Sequence, residues 1–219
     1  MSKKNFIFGA GMRAKELKGF LALDSQEIYG FIVDSEYKNS DCFDGNVLLS
    51  TEEFLEKYKP EEVLLFMGVG MPRMNMKREK IFESFHKHGF VFEKYISSKA
   101  NVFAAQIGEG CTIFPGVNIG LGVKVGTGNH FEMGVTVSHD CIIGDYNFFA
   151  PGCTLCGDIQ INKGCFIGAN STVSNSIVLS DYTLVGAGAF VSKSTKPYDV
   201  VLPQKSFTPD NKTSLDFMK

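Results

Sequence analysis

The sequence has no run of basic residues and no long uninterrupted apolar segment. Its 22 Lys and Arg nearly balance 24 Asp and Glu, for a net charge of −2. A nucleic-acid or anionic-membrane surface therefore has little electrostatic support. Near the N-terminus only Phe6-Ile7-Phe8 forms an apolar run before Gly9 cuts it. That is too short for a signal peptide, nothing else is long enough to span a bilayer, and a cytoplasmic location is expected. Histidine is scarce: His86, His88, His130 and His139 are the only four. The first two share one expected helix, so a three-histidine zinc site of the carbonic anhydrase kind lacks its ligands. The six cysteines include one Cys-x-x-Cys, Cys153 to Cys156, with no second pair to complete a zinc site. No metal and no disulfide framework are expected, and reduced thiols are the plain reading.

What the chain has instead is a repeat. From Ile107, every sixth residue is apolar: Ile113, Ile119, Val125, Phe131, Val137, Ile143, Phe149, Leu155, Ile161, Ile167, Val173, Leu179, Val185 and Val191. A period of six is neither the two of a strand nor the 3.6 of a helix. It fits a solenoid in which three short strands make one triangular coil and the eighteenth residue stacks on its start. Cys111, Cys141, Cys153 and Cys165 each fall two residues before a repeat position, in the slot held elsewhere by Val117, Val123, Val135, Ile159 and Ala189. They are expected as small core residues.

Residues 4–95 read differently. Lys4 to Phe8 is a buried strand, Gly9-Ala10-Gly11 a tight turn, and Arg13 to Leu23 a helix with Leu17, Phe20 and Leu21 on one face. A strand from Ile28 to Val33 follows and ends at Asp34. Ser50-Thr51-Glu52-Glu53 is a capping box opening a helix to about Tyr58. Glu62 to Met67 is a strand, Met74 to His88 a helix closed by Gly89, and Phe90 to Ile96 another strand. Strands alternating with helices imply a small parallel sheet covered by helices. The Gly9-x-Gly11 turn before a helix is either a tight turn alone or a place where backbone N–H groups and the helix dipole hold a phosphate. Arg13 beside it suits an anion. Asp34, at a strand tip, stands where dinucleotide folds hold a ribose hydroxyl. Ala14 occupies the place of a third glycine. Asn101 to Gln106 is expected to join the two parts without a flexible linker. The expected division is an α/β, Rossmann-like domain over 1–100, a parallel β-helix over 101–200, and a polar C-terminal extension over 201–219.

Within the solenoid, His139-Asp140 falls at a corner of the coil, and Gly157 lies eighteen residues on, one coil above His139. The coil spacing of about 4.8 Å would set an unobstructed backbone N–H beside the imidazole, a base next to an oxyanion donor. A solvated surface histidine is the plainer alternative.

The strand and Gly-Ala-Gly turn, the Val33-Asp34 strand end, and the run Ser138-His139-Asp140-Cys141-Ile142-Ile143-Gly144-Asp145 through Ala150-Pro151-Gly152 to Leu155-Cys156-Gly157 resemble the bacterial nucleotide-amino-sugar acetyltransferases. That family includes sialic acid O-acetyltransferases and the acetyltransferase of bacillosamine synthesis. The resemblance runs to about Pro203. It implies a left-handed β-helix, an acetyl-CoA cosubstrate, a nucleotide-linked amino sugar as acceptor, and a homotrimer with active sites between neighbours. It makes His139 the general base, Asp140 its acidic support and Gly157 the donor to the acetyl oxygen. Gly157, Ala169, Gly186, Ala187 and Lys193 would line the coenzyme A channel, and Gly9, Gly11, Arg13 and Asp34 the nucleotide-sugar site. The chain departs from the family where Phe148 replaces a second histidine, where Glu132 replaces an asparagine near the acceptor, and where Met12-Arg13 replace a glycine-histidine. The expectation is N-acetylation of a nucleotide-linked deoxy amino sugar. Sugar or sialic acid O-acetylation and a non-catalytic nucleotide-sensing scaffold are its rivals.

Overall fold

A computed structural model describes residues 3–205; of the extension expected over 201–219, residues 206–219 lie outside them, and Val201 is still paired in the solenoid, with Val185. Three strands expected from sequence form: β1 (Lys4–Phe8) with the expected bounds, and β2 (Gly30–Val33) and β5 (Val63–Met67) with trimmed starts. The helices are α1 (Met12–Leu23), α2 (Thr51–Lys57) and α3 (Met76–His86). The capping box forms as read, with Ser50 and Glu53 bonding each other's backbone N–H. Gly89, at φ +81°, closes α3: its N–H reaches the His86 carbonyl and that of Phe90 the Phe85 carbonyl. A hairpin of β3 (Cys42–Phe43) and β4 (Asn46–Ser50), turning on Asp44-Gly45, was not among the expected elements. The sheet order is β3-β4-β2-β1-β5, parallel except for β3. Helix α1 buries Ala14, Leu17 and Leu21 on one side, where Phe20 also packs on Phe114.

One expected strand is corrected. Phe90 to Ile96 is not a continuous strand of this sheet, because its apolar residues serve two cores. Phe90 and Phe92 bury under α3, with a single bridge to Leu65, while Tyr95–Ile96 pairs with Thr112–Ile113 of the solenoid. The solenoid strands therefore begin ahead of residue 101, and Asn101–Val102, expected within a connector, is already paired with Asn118–Ile119.

The six-residue period builds a left-handed parallel β-helix with three faces. The first face carries strands such as Thr136–Val137 and Thr154–Leu155, the second Ile142–Ile143 and Gln160–Ile161, the third His130–Phe131 and Phe148–Phe149. From Gln106 to Val191 each strand pairs with the one eighteen residues on, as in Val137 with Leu155 and Ile143 with Ile161, whereas the end strands pair at seventeen (Tyr95 with Thr112, Asn101 with Asn118) and sixteen residues (Leu184 with Val200). All four corner-slot cysteines are fully buried in this core. Burial pushes the Cys153 thiol up to about 12 and those of Cys111 and Cys165 to about 11, so they stay protonated. At the corners every sixth residue from Gly110 to Gly188 adopts positive φ, as glycine or as Asp140, Tyr146, Asp158, Asn170, Ser176 and Tyr182.

The α/β part lies on the third face. Outward-pointing Thr112, His130 and Phe148 are buried there, whereas Lys124, Ile142 and Gln160 on the second face stay exposed. Phe82 packs edge-on to Tyr146, and the Tyr95 hydroxyl donates to Asp24 at 2.7 Å. These contacts couple the two parts directly. No helix among the described residues is long and apolar enough to cross a membrane.

Candidate active site

His139 and Asp140 sit on the edge between the first and second faces. Asp140 takes the corner position with φ +58°, a backbone region in which Asp is tolerated better than most residues. Its Oδ2 lies 3.0 Å from His139 Nδ1, with both side chains about two-thirds exposed (65% and 69%). A carboxylate there accepts a hydrogen bond from Nδ1–H, which favours the tautomer that leaves Nε2 with its lone pair free. The ring lies against Gly157: a Cβ at that glycine would stand 2.5 Å from Nε2. Gly157 is buried rather than open, because the imidazole itself covers it. Its N–H makes no hydrogen bond among the described residues, while its neighbour Asp158 donates to the His139 carbonyl at 3.0 Å. The arrangement is a free imidazole nitrogen beside an unpartnered backbone donor, with a carboxylate behind the ring.

The second concavity lies at the C-terminal ends of β1, β2 and β5, where ligands bind in open parallel sheets. A cavity of about 520 Å³ brings together Gly9, Gly11, Arg13 and Asp34 with Tyr37, Gly68, Gly70 and Lys77. Gly9 has φ +126°, and a Cβ there would meet the Gly68 carbonyl at 2.9 Å, so glycine is required. Ala14 stands against Gly68, which supplies the small residue at the helix–strand contact that a third glycine would otherwise supply. Asp34 pairs with Lys77 Nζ at 3.3 Å, and that ammonium lies 4.1 Å over the Tyr37 ring. Burial lowers the Lys77 pKa, but Tyr37 and Asp34 outweigh it and leave the group raised and charged. A second cavity of about 540 Å³ continues past Asp34 and Tyr37 to Arg73, Lys80 and Ser84.

Two expected ligand residues have other occupations. Glu132 is 1% exposed at the floor of a concavity shared with Arg13 and Met133; it binds Arg13 and lies 2.7 Å from His130 Nε2. Arg13 also pairs with Glu16 at 3.0 Å and lies 5.3 Å over the Phe148 ring. Its charge is thus committed to two carboxylates, and only a third of the side chain is exposed. His130 stacks on Phe148 at 4.8 Å. Burial holds His130 neutral, well below the usual histidine range, and the nearby Arg78 and Arg13 guanidinium groups act the same way. The Glu132 charge is already taken up by Arg13, so it does not reverse that direction.

The residues nominated for coenzyme A do not come together within one chain. Lys193 is exposed in the same stacked column as His139 and Gly157, whereas Ala169, Gly186 and Ala187 lie at the edge between the third and first faces. Gly186 is covered by Leu202 and Pro203, each 3.1 Å from where its Cβ would be. Arg13, Met133 and Pro151 border a concavity at that same edge. Among the described residues no group of three or more His, Cys, Asp or Glu could hold a metal ion. Sequence reasoning missed Lys77 and Tyr37. Tyr37 follows Asp34 within one turn of chain and was within reach of a local reading, but Lys77 arrives from α3 through tertiary packing alone.

Residues 140–175 match the bacterial transferase hexapeptide (six repeats) family. No curated protein sequence matches the chain. Among solved structures, the acetyltransferase domain of PglB from Neisseria gonorrhoeae FA1090 in complex with acetyl coenzyme A is 22% identical, with TM-score 0.82 over 94% of this chain and 100% of that one. A mutant GDP-perosamine N-acetyl transferase from Caulobacter crescentus in complex with CoA and GDP-perosamine is 21% identical, with TM-score 0.81 over 92% of this chain and 94% of that one. WeeI from Acinetobacter baumannii AYE is 24% identical, with TM-score 0.80 over 92% and 97%. At these identities the likeness is one of fold, and it extends across both parts of the chain.

Proposed function

We propose that this chain is an acetyl-CoA-dependent N-acetyltransferase acting on the amino group of a nucleotide-linked amino sugar. The observation that carries the reading is the free Nε2 of His139 beside the unpartnered N–H of Gly157, on a solenoid joined to a nucleotide-sized cleft. His139 takes the proton of the attacking nitrogen as the new N–C bond forms, and returns it to the sulfur as the thioester C–S bond breaks. Gly157 N–H receives the charge that collects on the acetyl oxygen. No covalent enzyme intermediate is required. The cleft supplies the acceptor: N–H groups at the Gly9–Gly11 turn for the diphosphate, and Asp34 for the ribose. Similar structures holding acetyl-CoA, CoA and GDP-perosamine support both halves.

A homotrimer is part of this proposal, and the places of the parts support it. The cleft and its Arg13 border open toward the edge between the third and first faces, while His139 lies at the next edge round the coil. Ala169 and Ala187 are on the cleft's side and Lys193 on the side of His139. A neighbour related by rotation brings one edge against the other and completes the site. Acetyl-CoA and reduced thiols fit a cytoplasmic enzyme.

The test is a panel of nucleotide-linked amino sugars and free sialic acid, each with acetyl-CoA, followed by thiol release and product mass. Amide formation on a nucleotide amino sugar is expected. Turnover of sialic acid alone would replace this reading with O-acetylation, and turnover of nothing would favour a sensing scaffold.

A further inference from the structure

Four of the six non-glycine corner side chains in this solenoid fold down over a glycine in the coil beneath them. Asn170 folds over Gly152, Tyr146 over Gly128 and Tyr182 over Gly164, each filling the space a Cβ on that glycine would occupy. Asp140 does the same over Gly122: a Cβ there would collide with Asp140 Oδ1. The other two, Ser176 and Asp158, have no glycine beneath, and Asp158 is the informative one. The residue beneath it is Asp140, not glycine, and its carboxylate instead accepts from the Ser176 hydroxyl in the coil above, at 2.9 Å. Where the space below is filled, the corner carboxylate turns away. Asp140 Oδ2 reaches His139 Nδ1 from the downward position, so the pair exists in this geometry because residue 122 has no side chain.

We propose that Gly122 is a positioning residue for His139. It lets the Asp140 carboxylate lie under the imidazole edge, hold the Nδ1 proton and leave Nε2 as the base. This rests on the reading of His139 as the base, and the experiment separates the two. Gly122 and Gly116 share φ +74°, so alanine strains the backbone equally at both, but a Cβ at Gly116 meets only the Gly134 nitrogen, at 3.7 Å. Six corners already carry non-glycine residues, so both variants are expected to fold.

The ¹⁵N resonances of the His139 ring in the ligand-free protein report which nitrogen carries the proton. Wild type and Gly116→Ala are expected to show the Nδ1–H form, and Gly122→Ala a shift toward Nε2–H, as in Asp140→Asn. In turnover, Gly122→Ala is expected to lose about 10–100-fold in kcat. Adding it to Asp140→Asn should cause no further loss, because both act through one contact. A His139 tautomer unchanged in Gly122→Ala, or a kcat no lower than that of Gly116→Ala, overturns the proposal. If wild type transfers no acetyl group to any sugar amine, the functional reading fails while the tautomer measurement still decides the role of Gly122.

Discussion

Gly157 carries two demands at once, and both concern a missing side chain. Its backbone is not in the left-handed region, so alanine costs little there on conformational grounds, yet a Cβ would fall 2.5 Å from His139 Nε2. The imidazole must swing out, away from Asp140 and from the Gly157 N–H. Gly157→Ala is therefore expected to lower kcat by about 10²–10⁴-fold with thermal unfolding nearly unchanged. Equal losses of stability and activity would instead make Gly157 a packing residue. Asp140 shows the converse, a residue that accepts a left-handed backbone in order to place a carboxylate.

At the scale of elements, the contact that matters most is between the start of α1 and the third solenoid face. Arg13 and Glu132 are 119 residues apart and close a half-buried ion pair across the two parts of the chain. Removing Arg13 leaves a 1%-exposed carboxylate with only the neutral His130 ring as partner, whereas removing the charge of Glu132 leaves a guanidinium that still has Glu16 and water. Arg13→Ala is expected to cost about 3 kcal/mol in thermal unfolding and Glu132→Gln clearly less; the reverse order would show that the pair does not tie the parts together. Nothing in the sequence pointed to this pairing. Arg13 was legible as a cation beside a glycine turn, which suggested phosphate, because local sequence does not reveal a partner brought by tertiary folding. The repeat was legible from Ile107 to Val191 because each hexad states the same burial rule, while the end strands at Tyr95–Ile96, Asn101–Val102 and Val200–Val201 break the period and were not. The β3–β4 hairpin left a local signal, Asp44-Gly45 with φ of +49° and +81°, that a turn-based reading would have found. Phe90 to Ile96 misled because alternating apolar residues fit one strand as well as two separate cores.

For the molecule as a whole, the separation of the cleft edge from the His139 edge is what calls for a neighbour. Co-assembly of equal amounts of His139→Ala and a cleft variant, Asp34→Ala, each nearly inactive alone, is expected to restore about a quarter of wild-type activity, since that share of sites pairs an intact cleft with an intact edge. No recovery would place both halves of each site in one chain. Every proposed step of the transfer passes through His139. The most direct measurement is kcat for wild type and His139→Ala, with acetyl-CoA and a nucleotide-linked amino sugar that wild type turns over. A fall of about 10²–10⁴-fold with an unchanged circular dichroism spectrum is expected, and an unchanged kcat would contradict the account.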